Sequence, residues 1–224
     1  MPTAKRKKKA AKIDLFKERR IYFTAKTTPA LVKLGPVKYL AVSGAGSPES
    51  ESFQGGIGAI YAVAYTLKFL KKAEGQDYKV ATLEALWWFG DGEPASASAG
   101  QFEAAPRESW RWKVLVMVPD FIVRVDVERA KKVVLAKKPQ PAVTGVGLER
   151  INEGRVVQIL HVGPYADEPA SIARMRELAA SQGLTLAGVH HEIYLNDPRR
   201  VSPDRIKTLL RMPVARAQPG SSRI

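Results

Sequence analysis

The chain has no cysteine among its 224 residues and only three histidines. The absence of cysteine excludes disulfide bonds, thiolate zinc sites and cysteine nucleophiles. It also fits a reducing compartment, so we expect a cytoplasmic protein. No apolar run approaches the roughly 20 residues that a membrane-spanning helix needs, and the basic N-terminus is not followed by the apolar segment of a signal peptide. The sequence therefore predicts neither export nor a membrane partner.

Several catalytic and nucleotide-binding motifs are missing as well. There is no G-x-S-x-G, the turn that presents a serine nucleophile in one large class of hydrolases. The glycines near Gly55 and Gly145 lack the third glycine or the Lys-Ser/Thr of phosphate-binding loops. The run His190-His191-Glu192 does not complete an HExxH zinc motif, because Leu195 stands where the second histidine belongs. We therefore expect no metal and no other cofactor.

Positive charge is in excess, with 36 Lys and Arg against 22 Asp and Glu, a net charge of +14. Six basic residues lie in a tail without apolar periodicity, about residues 1–13: Lys5, Arg6, Lys7, Lys8, Lys9 and Lys12. The tail is interpreted as a disordered, solvated extension, with a tether to nucleic acid as the alternative. No recognition helix, zinc finger or aromatic RNA-binding motif accompanies the charge. Any nucleic-acid binding is therefore expected to be weak and non-specific.

Periodicity predicts a strand, a helix and two more strands in the first half of the chain, about residues 37–122. Alternating apolar residues indicate strands, whereas apolar residues three or four apart indicate the helix. The predicted elements are the strand Val37–Ser43, the helix Phe53–Ala73, the strand Thr82–Phe89, a loop Gly90–Pro106 and the strand Trp110–Val118. A further short helix, Val125–Lys138, ends at Pro139 and Pro141, which separate the halves.

The second half, about residues 145–216, repeats this order. Its predicted elements are the strand Arg155–Val162, a helix from Asp167 to Gln182, the strand Val189–Leu195 and the strand Ile206–Val214. The sequence thus predicts one α+β domain over residues 14–224. We expect two duplicated β-α-β-β modules related by pseudo-twofold symmetry, with a ligand cleft between them.

Each half places one glutamate in an equivalent strand. Alternation puts Glu84 on the same face as Trp88, and Glu192 on the same face as His190 and Tyr194. The other faces are more apolar and are expected to lie under the helices, so that the two glutamate faces meet. A convergent pair of carboxylates among aromatic rings can bind a flat cation, or can divide acid and base roles. Alternatively, both glutamates are ordinary solvent-facing residues.

Three segments resemble the GyrI-like (gyrase-inhibitor-like) small-molecule-binding domain, in particular its stand-alone bacterial branch. They are VATLEALWWF, RVVQILHVGPY and HHEIYLNDPRRVSPDRIKTLLRMPV. The resemblance implies two strand–helix–strand–strand modules around a ligand cleft, with Glu192 as the ligand-facing acid. It also implies binding of lipophilic cations, as in effector domains of multidrug-responsive activators. For some stand-alone members it implies hydrolysis of cyclopropane-bearing, DNA-alkylating compounds.

The leading interpretation is a cytoplasmic protein that binds hydrophobic, flat or cationic xenobiotics and acts as a hydrolase through Glu84 and Glu192. The expected ligand-binding residues are Trp88, Tyr61, Tyr65, Trp112, Tyr165, His190 and Tyr194. Core packing is the alternative use of the two helical tyrosines and of Trp112. The alternative function is non-enzymatic, either drug sequestration or regulation, including a gyrase-inhibitor-like action on a protein partner.

Overall fold

A closed barrel of six antiparallel strands forms the centre of the protein. The computed structural model describes residues 12–90 and 109–217. The hydrogen-bonded order is β4-β1-β3-β2-β6-β7, and β4 also pairs with β7, which closes the barrel. A short seventh strand, β5, extends the sheet beside β7. The strands are β1 (Ala30–Ala45), β2 (Leu83–Phe89), β3 (Trp110–Val118), β4 (Gly147–Val162), β5 (Leu184–Leu186), β6 (His190–Tyr194) and β7 (Lys207–Arg216).

Helices accompany the barrel, which gives a mixed α/β fold. They are α1 (Leu15–Glu18), α2 (Arg20–Phe23), α3 (Glu51–Ala73), α4 (Arg124–Lys137), α5 (Pro141–Thr144) and α6 (Glu168–Ser181). The predicted strands and long helices occur at the expected places, although β1 and β4 begin several residues earlier. The helices α1, α2 and α5 and the strand β5 were not predicted. The expected tail up to residue 11 and the loop from residue 91 to Pro106 lie outside the described residues.

Helix α3 is fixed on the outside of the barrel by Trp112. The Ser50 hydroxyl accepts a hydrogen bond from the Phe53 amide at 3.2 Å and caps the start of the helix. The Trp112 ring fills the space between Gly44 of β1 and Gly56 of α3. A Cβ at Gly44 would lie 2.2 Å from this ring, and one at Gly56 would lie 2.6 Å from it. Helix and sheet can approach this closely only because both positions are glycine.

Helix α6 covers another part of the outer surface. Its buried Met175 and Ala179 pack with outward residues of β4 and β7, among them Ile159, Leu210 and Met212. Helix α3 packs against β1 and β3, whereas α6 packs against β4 and β5. The paired strands β2 and β6, which we call the β2–β6 seam, therefore lie between helices α3 and α6.

The helices are too short or too polar to cross a bilayer, as judged over the described parts of the chain.

Candidate functional site

The register of the β2–β6 seam decides which side chains share a face. Ala85 lies opposite Glu192, and Trp87 lies opposite His190. Directly opposite residues in antiparallel strands point to the same side. Trp87 also lies opposite Trp112, which packs under α3, so Glu192 and His190 point to the outer, helix-bearing side.

Glu84 points the other way. It lies opposite Ile193. Side chains alternate along a strand, and Glu84 is three residues before Trp87, so the two project from opposite faces of β2. The side chain of Glu84 therefore enters the barrel. The expected convergence of Glu84 and Glu192 is therefore not observed. The faces without a glutamate were expected to lie under the helices. This expectation is correct for β2 but wrong for β6, where the face bearing His190 and Glu192 is the outer, helix-bearing one. The physical reason is the register, which pairs Glu84 with residue 193 rather than with residue 192.

Inside the barrel, Glu84 belongs to a buried charged network. The His191 ring has Nε2 3.1 Å from Glu84 Oε2 and Nδ1 2.8 Å from Glu153 Oε1. Arg211 donates from Nη1 to Glu153 Oε2 at 2.8 Å and from Nη2 to the Tyr22 carbonyl at 2.8 Å. The network thereby connects β2, β4, β6 and β7 with the N-terminal helix α2.

The charges of this network are mutually compensated. Burial alone would raise the pKa of Glu153, but the charges of Arg211 and His191 lower it to about 2. Burial alone would lower the pKa of His191, but Glu153 and Glu84 raise it. Glu153 and Arg211 are paired and hydrogen-bonded, the arrangement in which buried ions are tolerated. Sequence reasoning missed Glu153 and Arg211, although a lone arginine within the apolar run LLRMPV is a signal of a buried ion pair.

On the outer face, three ionisable side chains form a compact cluster, which we call the outer triad. His190 Nε2 lies 3.1 Å from Glu192 Oε1 and 3.8 Å from Glu168 Oε2. Glu168 is the first residue of α6 and was not predicted as a site residue. From the sequence, an acidic residue in the first turn of a helix indicates only a favourable interaction with the helix dipole. One donor atom from each residue lies within 4.8 Å of the other two, a spacing that can accommodate a metal ion. The expectation of no metal stays a prediction.

The pKa values of Glu168 and His190 are shifted strongly. Burial, together with the nearby charge of Glu192, raises the pKa of Glu168 to about 7. Burial alone would lower the pKa of His190, but the neighbouring carboxyls of Glu168 and Glu192 raise it to about 10. His190 is therefore protonated at neutral pH, while the acid form of Glu168 is favoured relative to that of a free carboxyl. Such a pair of carboxyls around one imidazolium can hold and transfer a proton.

Aromatic side chains surround the outer triad. The Trp87 indole donates to the Tyr194 hydroxyl at 3.3 Å, and this hydroxyl also contacts Glu192. The rings of Tyr165 and Tyr194 meet edge to face, 6.2 Å apart. Burial raises the pKa of Tyr165 to about 12, and the carboxylates Glu192 and Glu168 contribute. Both tyrosines therefore stay neutral and offer hydroxyl groups beside the acids.

The remaining predicted ligand-binding residues occupy different places. Tyr61 and Tyr65 lie on α3 with ring centroids 6.0 Å apart, and Tyr61 interacts with Leu83 of β2 and with the β6–β7 loop at Asp197. Trp88 lies on the same face of β2 as Glu84 and therefore points into the barrel. Trp112 is 2% exposed and belongs to the core. The structure thus brings His190, Glu192, Tyr165 and Tyr194 together, with Tyr61 and Tyr65 on the neighbouring helix.

A cavity of about 320 Å³ lies elsewhere in the protein, between the N-terminal segment and the end of β3. Its lining includes Leu15, Val37, Met117 and Phe121, and the ion pair of Arg19 with Asp120 at 2.6 Å stands at its edge. It contains none of the outer triad. The chemistry-bearing groups therefore point to the β2–β6 seam rather than to this cavity.

Known structures share this architecture. A structure from Listeria innocua, described as an uncharacterized conserved protein, is 36% identical with a TM-score of 0.82, and the match covers 91% of this chain and 100% of that one. A second structure, a hydrolase from Listeria innocua, is 34% identical with a TM-score of 0.79, again over 91% of this chain and 100% of that one. Both relatives are thus matched over their whole length.

A more distant structure shows the fold alone. The EcmrR C-terminal domain is 13% identical with a TM-score of 0.52, over 85% of this chain and 98% of that domain. Among curated protein sequences, none matches the chain significantly. The family model for the GyrI-like small molecule binding domain matches residues 120–215, which include α4, α6 and the outer triad. Together with the Listeria relatives, this match shows that the chain belongs to the GyrI-like small-molecule-binding family.

Proposed function

We propose that this protein binds hydrophobic, flat or cationic small molecules at the β2–β6 seam and hydrolyses electrophilic ones, such as cyclopropane-bearing xenobiotics. The observation that carries the proposal is the position of Glu192. Its carboxyl lies on the outer face, 3.1 Å from His190, and contacts the Tyr194 hydroxyl. The Listeria relatives described as hydrolases, at 34% identity over almost the whole chain, support a hydrolytic reaction.

In the proposed reaction Glu192 is the general base. It accepts a proton from a water molecule, and the oxygen of that water attacks the electrophilic carbon of the ligand. Tyr165, Tyr194 and Trp87 provide the flat surfaces that bind aromatic rings and exclude bulk water. The His190 ring, 3.1 Å from Glu192 Oε1, keeps the Glu192 carboxyl oriented. Glu84 takes no part in this mechanism, because its side chain lies inside the barrel.

Binding without turnover is the second candidate function. The observation that favours it is the second carboxyl, Glu168, beside Glu192 on the same face. Two carboxyls among aromatic rings attract lipophilic cations, and one imidazolium compensates only one of them. Sequestration or regulation by such a ligand would need no water next to Glu192.

Replacing Glu192 by glutamine tests the proposal. Glutamine keeps the shape of the side chain but cannot accept a proton. We expect turnover of a spirocyclopropyl cyclohexadienone to fall about 10²–10⁴-fold, the usual contribution of general acid–base catalysis. Affinity for this neutral compound should change little. Mass spectrometry of the incubated compound reports conversion, and calorimetry reports binding.

Glu84→Gln is the matched comparison, because it makes the same chemical change on the opposite face of the β2–β6 seam. Its turnover per folded molecule should equal that of the wild type, even though the buried network is weakened. Loss of turnover in a folded Glu84→Gln protein would contradict the proposed site. Tight binding of a lipophilic cation with no conversion of any electrophile would favour the binding function instead.

We also propose that the barrel is built from two related halves. The chain order β1-α3-β2-β3 corresponds to β4-α6-β6-β7. In each half the last strand pairs with the first and with the second, and the halves join through the equivalent pairs β1–β4 and β2–β6. This pattern supports a duplicated module with a pseudo-twofold axis through the β2–β6 seam. Experimental coordinates in which rotating one half does not superpose its four elements on the other would contradict it.

A further inference from the structure

We infer that Glu168 is a catalytic residue of the site: it is the general acid that protonates the leaving group while Glu192 activates water. This inference rests on the proposed function, and it puts Glu168 in the place that Glu84 was expected to hold in the pair of carboxyls.

The placement of Glu168 supports this assignment. Glu168 is the first residue of α6 and is 6% exposed. Its Oε2 lies 3.8 Å from His190 Nε2. Its other oxygen, Oε1, is buried and has no hydrogen-bond partner in the described part of the chain. A buried carboxyl oxygen without a partner is costly. A protonated carboxyl that donates to a bound ligand removes this cost.

The protonation of the outer triad matches the division of roles. Glu168 and Glu192 flank one imidazole, so the cluster holds two carboxyls and one cation. Two adjacent carboxylates disfavour the ionisation of one of them, and the pKa of about 7 assigns the raised proton affinity to Glu168. At neutral pH the acid form of Glu168 is therefore substantially populated next to a base.

The reaction balances with water as the only co-reactant. Water attacks a methylene carbon of the cyclopropane and transfers a proton to Glu192. The breaking ring bond passes its electron pair into the dienone, which becomes a phenol when its oxygen takes the proton of Glu168. His190 then passes a proton from Glu192 back towards Glu168, because its ring nitrogen lies close to both carboxyls. The enzyme ends in its starting protonation state.

Glu168→Gln tests the inference. Turnover of the spirocyclopropyl dienone should fall about 10²–10⁴-fold, with little change in affinity for the compound. A dienone with electron-withdrawing substituents needs less help from an acid, because its phenolate is more stable. The loss caused by Glu168→Gln should therefore shrink with this second substrate, whereas the loss caused by Glu192→Gln should not. A purely structural effect of the substitution would lower the turnover of both substrates by the same factor.

Glu177→Gln is the matched control, since Glu177 lies on the same helix and is exposed; it should behave as the wild type. Unchanged turnover in Glu168→Gln, or an equal loss with both substrates, would overturn the inference while leaving the proposed hydrolysis intact. Loss of wild-type turnover on treatment with EDTA would overturn it too, since the three residues would then serve a metal. Absence of turnover by the wild type would instead overturn the proposed hydrolysis and this inference with it.

Discussion

Two neighbouring histidines show how much the environment of a residue decides its chemistry. His190 and His191 are adjacent in β6, yet they project to opposite faces of the sheet. His191 is held inside the barrel between Glu84 and Glu153, and His190 is held outside between Glu168 and Glu192. In both places two carboxyls raise the pKa of the imidazole against the effect of burial. The inner histidine contributes to stability and the outer one to the proposed site.

The inner network predicts a pH-dependent loss of stability. The pKa of Glu153 is about 2 in the folded protein, against 4.5 for the free side chain. Its contribution is therefore fully present above about pH 4.5 and is lost as the pH falls towards 2. Glu153→Gln leaves Arg211 without its buried partner, so we expect the free energy of unfolding at pH 7 to fall by about 3–5 kcal/mol. Urea unfolding at pH 7 and at decreasing acidic pH should show this difference narrowing.

Glu149→Gln is the control for this prediction. Glu149 lies on the same strand and pairs with Lys113 at 2.8 Å, but its side chain is 40% exposed. Removing such an exposed pair should cost less than about 1 kcal/mol. If Glu153→Gln cost no more than Glu149→Gln, the buried network would not be the stabilising feature described above.

At the scale of elements, the contact between α3 and the barrel depends on where glycine occurs. Helix α3 contains Gly55, Gly56 and Gly58 near its start, a composition unfavourable for a helix. Gly56 faces the Trp112 ring, whereas a Cβ at Gly55 would meet nothing within 4 Å. Close packing therefore explains one of these glycines, and the structure gives no packing reason for Gly55.

Alanine substitutions at these two positions should have opposite effects. Gly55→Ala should stabilise the protein by about 0.5–1 kcal/mol, because alanine favours the helix and meets no neighbour. Gly56→Ala should destabilise it by about 1–3 kcal/mol, because its Cβ would overlap Trp112. Thermal unfolding followed by circular dichroism measures both changes. The same sign for the two variants would mean that Trp112 gives way and does not fix the helix.

At the scale of the whole molecule, the basic N-terminus differs from the rest of the chain in its composition. Ile13 forms a bridge to Tyr78 beside α3. The preceding residues carry Lys5, Arg6, Lys7, Lys8 and Lys9. Charge without apolar periodicity contributes little to a folded core.

Deleting residues 1–11 should leave folding and ligand binding unchanged. We expect the free energy of unfolding to stay within about 0.5 kcal/mol of the wild type, as for surface changes in general. Differential scanning calorimetry and titration with a lipophilic cation measure the two properties. A full-length variant with the five basic residues changed to glutamine separates the effect of charge from that of length. A melting temperature lowered by several degrees would show that these residues belong to the domain.

The sequence by itself determined the order of the elements. Apolar periodicity and turn residues located α3, α6 and most strands, because these signals are local in the chain. It also identified Glu192, His190, Tyr165 and Tyr194, which do lie together. Within each strand it assigned the glutamates to the correct sides relative to their neighbours.

Only the tertiary structure decided which of those faces meet. Alternation fixes a face within one strand, but a shift of one residue between paired strands reverses the relation between their faces. The pairing of Glu84 with Ile193 sent Glu84 into the barrel and left Glu192 outside. Closure of the barrel and the docking of α6 then placed Glu168 beside His190, a contact between distant parts of the chain. Local sequence patterns do not encode such long-range packing, so the carboxyl of Glu168 beside His190 could be found only in the folded molecule.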